Sequence, residues 1–147
     1  MKKKLTFTSD SCHLAEIRKE VREFLAACAF EETKAELLIL GLDEACTNII
    51  RYAYDHECRP IRLKMERLSD RVRFVLRDYG RSCDPKQIRS RSLKKIRPGG
   101  VGVHIIRHAF DLVNYQPCPR GTRLILEKKF ENGPNRVRGG RDGRISA

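Results

Sequence analysis

Apolar and polar residues alternate singly around Leu5 and Phe7, the two-residue period of a strand, so a strand is expected over 3–8. The period then lengthens. Leu14, Ile17, Val21, Phe24, Leu25 and Cys28 recur three and four apart, which predicts a helix to about residue 29, capped by Ser9 or Asp10. A second helical pattern covers roughly 32–54, weakened only at Gly41. After Pro60 the period returns to two. Ile61, Leu63 and Met65 alternate with Arg62, Lys64 and Glu66; beyond a Ser69-Asp70 turn, Val72, Phe74 and Leu76 alternate with Arg71, Arg73, Val75 and Arg77. That is a hairpin with one buried face. Residues 79–98 sustain no period and read as a loop, 102–112 as a helix, and 113–116 and 121–130 as strands.

Two helices, a hairpin, a long loop, a helix and closing strands imply an α+β fold. The expected architecture is a two-layer α/β sandwich, its mostly antiparallel sheet covered on one face by helices. Strands and helices do not alternate as a doubly wound nucleotide fold requires. Residues 1–130 are expected to form one domain, and the Gly- and Arg-rich 131–147 a flexible basic tail. The 40% apolar and 34% charged content is that of a soluble globular protein. No hydrophobic run is long enough for a membrane span, and MKKKLTFTSD lacks the apolar middle of a signal peptide, so a cytoplasmic location is expected.

The net charge of +12 is unevenly placed: Lys2, Lys3 and Lys4 carry +3, residues 86–98 carry +6, 131–147 carry +2, and the rest is almost balanced. Charge gathered in two ends and one loop suits an anionic small ligand or acidic partner, and points away from direct nucleic-acid binding. Cys12, Cys28, Cys46, Cys58, Cys83 and Cys118 are irregularly spaced, with no CxxC or Cys/His run of zinc spacing. They are expected to be reduced and structural, with Cys12, Cys28 and Cys46 in helical patterns.

Three stretches carry candidate chemistry. In DEACTNIIRYAYDH (43–56), Glu44 and Asn48 stand one helical turn apart, with no basic partner at that spacing. An amide oxygen can ligate a hard cation, and a carboxylate beside it can polarise a hydroxyl. In RDYGRSCDP (77–85), Asp78 comes where the chain leaves the second hairpin strand, and Gly80 lets the backbone approach a ligand. In RPGGVGVHIIRHAFD (97–111), three glycines open a helix, the arrangement that turns N–H groups and the positive helix end toward an anion. Each has an ordinary reading alone: a solvated face, a turn, a linker. His104 and His108 read as surface or partly buried side chains, and Tyr52 and Tyr54 as packing residues.

In this order the stretches resemble the N, G1 and G2 boxes of the GHKL (Bergerat-fold) ATPases. Within that superfamily DEACTNIIRYAY, RDYGRSCDP, GGVGVHIIRHAFD and the closing GTRLILEKKF look like the anti-sigma-factor serine/threonine protein kinases, over about residues 5–130. The resemblance implies an ATP- and Mg²⁺-dependent enzyme. Asn48 would ligate Mg²⁺, and Glu44 would be the catalytic base for a partner's serine. Asp78 would hold the adenine amino group, with Gly80 admitting the ring and Thr122 supporting Asp78. Gly99, Gly100 and Gly102, with Val101 and Val103, would surround the phosphates, under a lid formed by 86–98. The implied partners are a STAS-domain anti-anti-sigma protein as substrate and a sigma factor to be sequestered; related kinases commonly form a homodimer. Alternatives are a switch kinase activating a phosphatase, or a nucleotide-gated binding module without kinase activity. Ser82 stands where the G1 box usually has its last glycine, Cys83 where it often has an aromatic, and Val103 where the G2 box usually has leucine.

Overall fold

The computed structural model describes residues 1–80 and 98–131. The sheet is built from β1 (Lys2–Thr8), β2 (Pro60–Arg67), β3 (Arg71–Arg77), β4 (Leu112–Pro117) and β5 (Thr122–Lys129). Their order is β1-β2-β3-β5-β4, every pairing antiparallel. The helices are α1 (Leu14–Ala27), α2 (Glu32–Asn48) and α3 (Pro98–Ala109). The α+β sandwich expected from the sequence is therefore the observed architecture.

The alternation read from the sequence becomes the two faces of the sheet. Ile61, Leu63 and Met65, Val72, Phe74 and Leu76, and Leu124 and Leu126 are buried on one face. Against it lie Ile17, Val21, Phe24 and Leu25 of α1, Leu38, Ile39, Leu42 and Cys46 of α2, and Ile106 and Ala109 of α3, joined by Phe110 just beyond it. Phe74 sits edge-on between Phe24 and Phe110, ring centroids 6.4 and 6.0 Å away. Removal of this apolar surface from water is the main favourable term.

Boundaries depart from the sequence expectation for local reasons. The first helix starts at Leu14 after a 3₁₀ turn, Ser11–His13, and its N-cap His13 makes no side-chain capping bond. Ser9 caps nothing: its hydroxyl donates to the Glu57 carbonyl (2.8 Å) and accepts from the Arg59 N–H (2.9 Å). Asp10 accepts from the Cys12 N–H (3.2 Å) and so serves the 3₁₀ turn instead. Cys12 accordingly stands exposed outside the helix, while Cys28 and Cys46 are buried as expected. The second helix keeps α geometry only to Asn48, then widens into a π-helical turn, Ile49–Ala53, and ends on left-handed Asp55 and His56 (φ 49° and 66°). The third begins at Pro98, whose fixed φ and missing N–H suit a first helical position, so Gly99, Gly100 and Gly102 lie inside it. The tail 132–147 and most of the 79–98 loop lie outside the described residues.

Gly41, a weakness in the sequence pattern, has a packing reason. A Cβ there would meet Phe110 Cε2 at 2.9 Å and Ala109 Cβ at 3.0 Å, so glycine sets the closeness of α2 and α3.

Candidate functional site

The site is assembled where the end of α2, the exit of β3 and the start of β5 converge. Glu44 and Asn48 lie on α2, one turn apart and both half-buried. Burial, then repulsion from Asp43, raises the Glu44 carboxyl above its usual value, against a smaller pull from Arg51. Asp43 itself is ion-paired with Arg18 at 2.7 Å. The Asn48 amide oxygen is buried without a hydrogen-bond partner among the described residues. It is the last α-helical residue before the π turn, a local widening often found at functional sites.

Asp78 is 4% exposed, at the point where β3 leaves the sheet. Its backbone N–H donates to the Thr122 carbonyl (3.0 Å), and its Oδ1 accepts from the Gly80 N–H (3.1 Å). Burial raises its carboxyl; the Gly80 and Thr122 N–H groups, then Arg77 and Arg59, oppose that rise and favour the ionised form. Thr122 is also buried, and its hydroxyl has no partner among the described residues. Only three buried side-chain atoms there are unpartnered, and the third, Arg67 Nε, belongs to a guanidinium stacked 4.8 Å above Phe130. Buried polar atoms are almost always paired, and the two other orphans fall on residues expected to bind a ligand.

Gly80 has a structural duty before any ligand. A Cβ would lie 2.2 Å from the Ala53 carbonyl oxygen and 2.8 Å from Tyr54 Cδ1, so the Asp78-Tyr79-Gly80 turn presses directly on the π turn. This contact ties the α2 part of the site to the β3 part. Tyr54 is buried packing, as its pattern suggested. Its hydroxyl bonds the Pro60 carbonyl and accepts from the Tyr79 N–H (2.8 Å).

Two positioning residues escaped the sequence reading. Gly121, at φ 80°, would drive a Cβ to 2.1 Å from the Asp78 carbonyl oxygen, so only glycine brings β5 and Thr122 this close to Asp78. The Gly-Thr pair was the available signal, but it drew attention to Thr122. Arg59 donates to the Tyr79 carbonyl (3.0 Å) and stacks 5.0 Å over Tyr54, bracing the same turn. No sequence pattern marked it.

Gly99, Gly100, Val101, Gly102 and Val103 occupy the first half of α3, which packs along α2 through the Gly41 contact. Ser82, Cys83 and residues 86–97 of the expected lid lie outside the described residues. His104 and His108 are exposed on α3.

A sheet backed by helices, with an acid and amide on one helix, an acid at a strand exit and glycines in another helix, is the arrangement that the resemblance to ATPase-type nucleotide domains implied. The chain belongs to the histidine kinase-like ATPase domain family, whose model matches residues 7–128. It is similar to the serine-protein kinase RsbW of Halalkalibacterium halodurans, 28% identical over 110 residues, covering 68% of this chain and 67% of that one. The serine/threonine-protein kinase BtrW of Bordetella bronchiseptica is 34% identical over 95 residues, 60% of this chain and 66% of its own. Its fold resembles the histidine kinase domain of a blue-light activated histidine kinase from Erythrobacter litoralis, with a TM-score of 0.55 at 15% identity, over 82% of this chain and 61% of that one. The chain thus spans about two thirds of the curated kinases it matches. Among the described residues no helix is long and apolar enough to cross a membrane.

Proposed function

We propose that the protein is an ATP- and Mg²⁺-dependent serine/threonine protein kinase of the anti-sigma-factor type. It transfers phosphate to a STAS-domain anti-anti-sigma protein and, in its other state, sequesters a sigma factor. The observation that supports this reading is the presence of two buried oxygens, Asn48 Oδ1 and Thr122 Oγ1, without a partner among the described residues, together with the buried carboxyl of Asp78. The similarity to named serine kinases supports the protein substrate.

Bound Mg-ATP would supply the phosphoryl group and the cation that neutralises its charge. The residues of the chain do the rest. The ionised form of Asp78, which the Gly80 and Thr122 N–H groups and the nearby arginines favour against the larger effect of burial, accepts a hydrogen bond from the exocyclic amine of adenine. Thr122 adds a hydroxyl beside it. Asn48 offers its neutral oxygen to the cation. The N–H groups opening α3, among Gly99, Gly100 and Gly102, meet the phosphates. Glu44 takes the proton from the partner's hydroxyl, and its raised pKa makes it a better base than a free glutamate.

The test separates the two α2 residues. In Glu44→Gln, phosphorylation of a purified STAS-domain protein is expected to fall by roughly 10²–10⁴-fold while ATP binding persists. In Asn48→Ala, Mg-ATP binding itself weakens and transfer is lost with it. Wild-type phosphorylation rates in both variants would overturn the reading; equal losses of ATP affinity would leave a nucleotide site and remove the division of roles.

A further inference from the structure

Spacing along the chain argued against zinc, yet folding gathers ligands that the spacing hides. A carboxylate oxygen of Asp10, the Cys12 sulfur and a ring nitrogen of His13 all lie within 4.8 Å of one another. A fourth donor comes from a segment far away in sequence. Ser9 holds that segment by three bonds: its N–H to the Arg59 carbonyl (2.8 Å), its hydroxyl to the Glu57 carbonyl (2.8 Å), and the Arg59 N–H back to its Oγ (2.9 Å). Cys58 is exposed, and Ser9, the neighbour of Asp10, bonds to the residues on either side of it.

We propose that Asp10, Cys12, His13 and Cys58 form a binding site for Zn²⁺, separate from the nucleotide site. The donor set is the mixed thiolate, imidazole and carboxylate set that Zn²⁺ accepts in tetrahedral geometry, at about 2.3 Å to sulfur and about 2.0–2.2 Å to nitrogen and oxygen. Three donors need only close by rotation of surface side chains, and exposed Cys58 turns in as the fourth. The 3₁₀ turn Ser11–His13 fixes the backbone of the first three, and the Ser9 clamp fixes that of the fourth. Ligation displaces the thiol protons of both cysteines. Cys28 and Cys46 are buried by contrast, and burial pushes the Cys46 thiol up to about 12.

The experiment titrates the reduced, metal-free full chain with Co²⁺, followed by displacement with Zn²⁺. One equivalent is expected to give thiolate-to-metal charge-transfer and tetrahedral d–d bands that Zn²⁺ abolishes. Cys12→Ser and Cys58→Ser should each cut the charge-transfer intensity and weaken binding by more than about tenfold, since even outer-shell partners are worth 10–100-fold. Cys118→Ser should leave the spectrum unchanged. Because Cys12 and Cys58 are exposed, metal-free melting of these two variants should match wild type. Absence of the bands, or full bands in the Cys12→Ser protein, overturns the site; an unchanged spectrum in Cys58→Ser overturns the fourth ligand. Mg-ATP binding is measured in parallel, and its loss or survival bears only on the nucleotide reading.

Discussion

Asp78 costs the fold by its burial and, in the proposed function, serves the ligand. Burial raises its carboxyl, so the folded protein holds that proton more tightly than the unfolded chain does. The sign follows. Below the unfolded value the carboxyl is neutral in both states and the penalty is absent. Above the raised folded value it is ionised in both, and the fold carries the desolvation penalty in full. Asp78→Asn keeps an oxygen that can accept from Gly80 and removes the charge. Its nucleotide-free form is therefore expected to melt at or above the wild-type temperature at neutral pH, with the difference shrinking as pH falls through the raised value. ATP affinity should drop sharply, because an amide oxygen is a weaker and less freely oriented acceptor for the adenine amine. Thermal melts across pH, paired with ATP titrations, check both halves. A variant that binds ATP at full strength would remove Asp78 from the site.

Elements were legible wherever a period persisted. The hairpin of β2 and β3 emerged with its faces correctly assigned, because Ile61, Leu63, Met65, Val72, Phe74 and Leu76 alternate without interruption. The ends were less legible, because tertiary bonds override local preference there. Ser9 has a good capping residue's chemistry and spends it on the 57–59 segment. The widening after Asn48 leaves no mark in the pattern, since apolar spacing hardly distinguishes an α from a π turn. Gly41 illustrates the same limit. Replacing a helical glycine with alanine elsewhere gains about 1 kcal/mol. Here the new methyl meets Phe110 and Ala109 at 2.9 and 3.0 Å, and overpacking of this kind costs about 1–3 kcal/mol. Phe110 is itself wedged against Phe74, so it has little room to yield. Gly41→Ala is therefore expected to be net destabilising, by up to about 2 kcal/mol, seen as a lower urea midpoint at unchanged slope. A stabilised variant would show that α3 moves aside freely.

At the scale of the molecule, periodicity supplied strands but not their order. The pairing of β3 with β5, which sets Thr122 beside Asp78, joins residues more than forty positions apart and depends on Gly121. The residue types of the proposed site were suggested by motif order, while the bracing by Gly121, Arg59 and Tyr54 could only be seen once the chain was folded. This dispersal has a thermodynamic consequence. The proposed ligand contacts come from α2, β3, β5 and α3, elements that no local unfolding event leaves together, so nucleotide should stabilise the whole domain. Mg-ATP at 100 times its dissociation constant is expected to add about 2.7 kcal/mol to the free energy of unfolding. GTP should add far less at equal concentration, because its ring carbonyl offers Asp78 no donor. ATP with a chelator in place of Mg²⁺ should fall between them, retaining the base contact and losing the one at Asn48. Melting curves on the full chain read all three. Equal shifts for ATP and GTP would separate binding from Asp78 and place the recognition elsewhere; no shift with either would remove the nucleotide site.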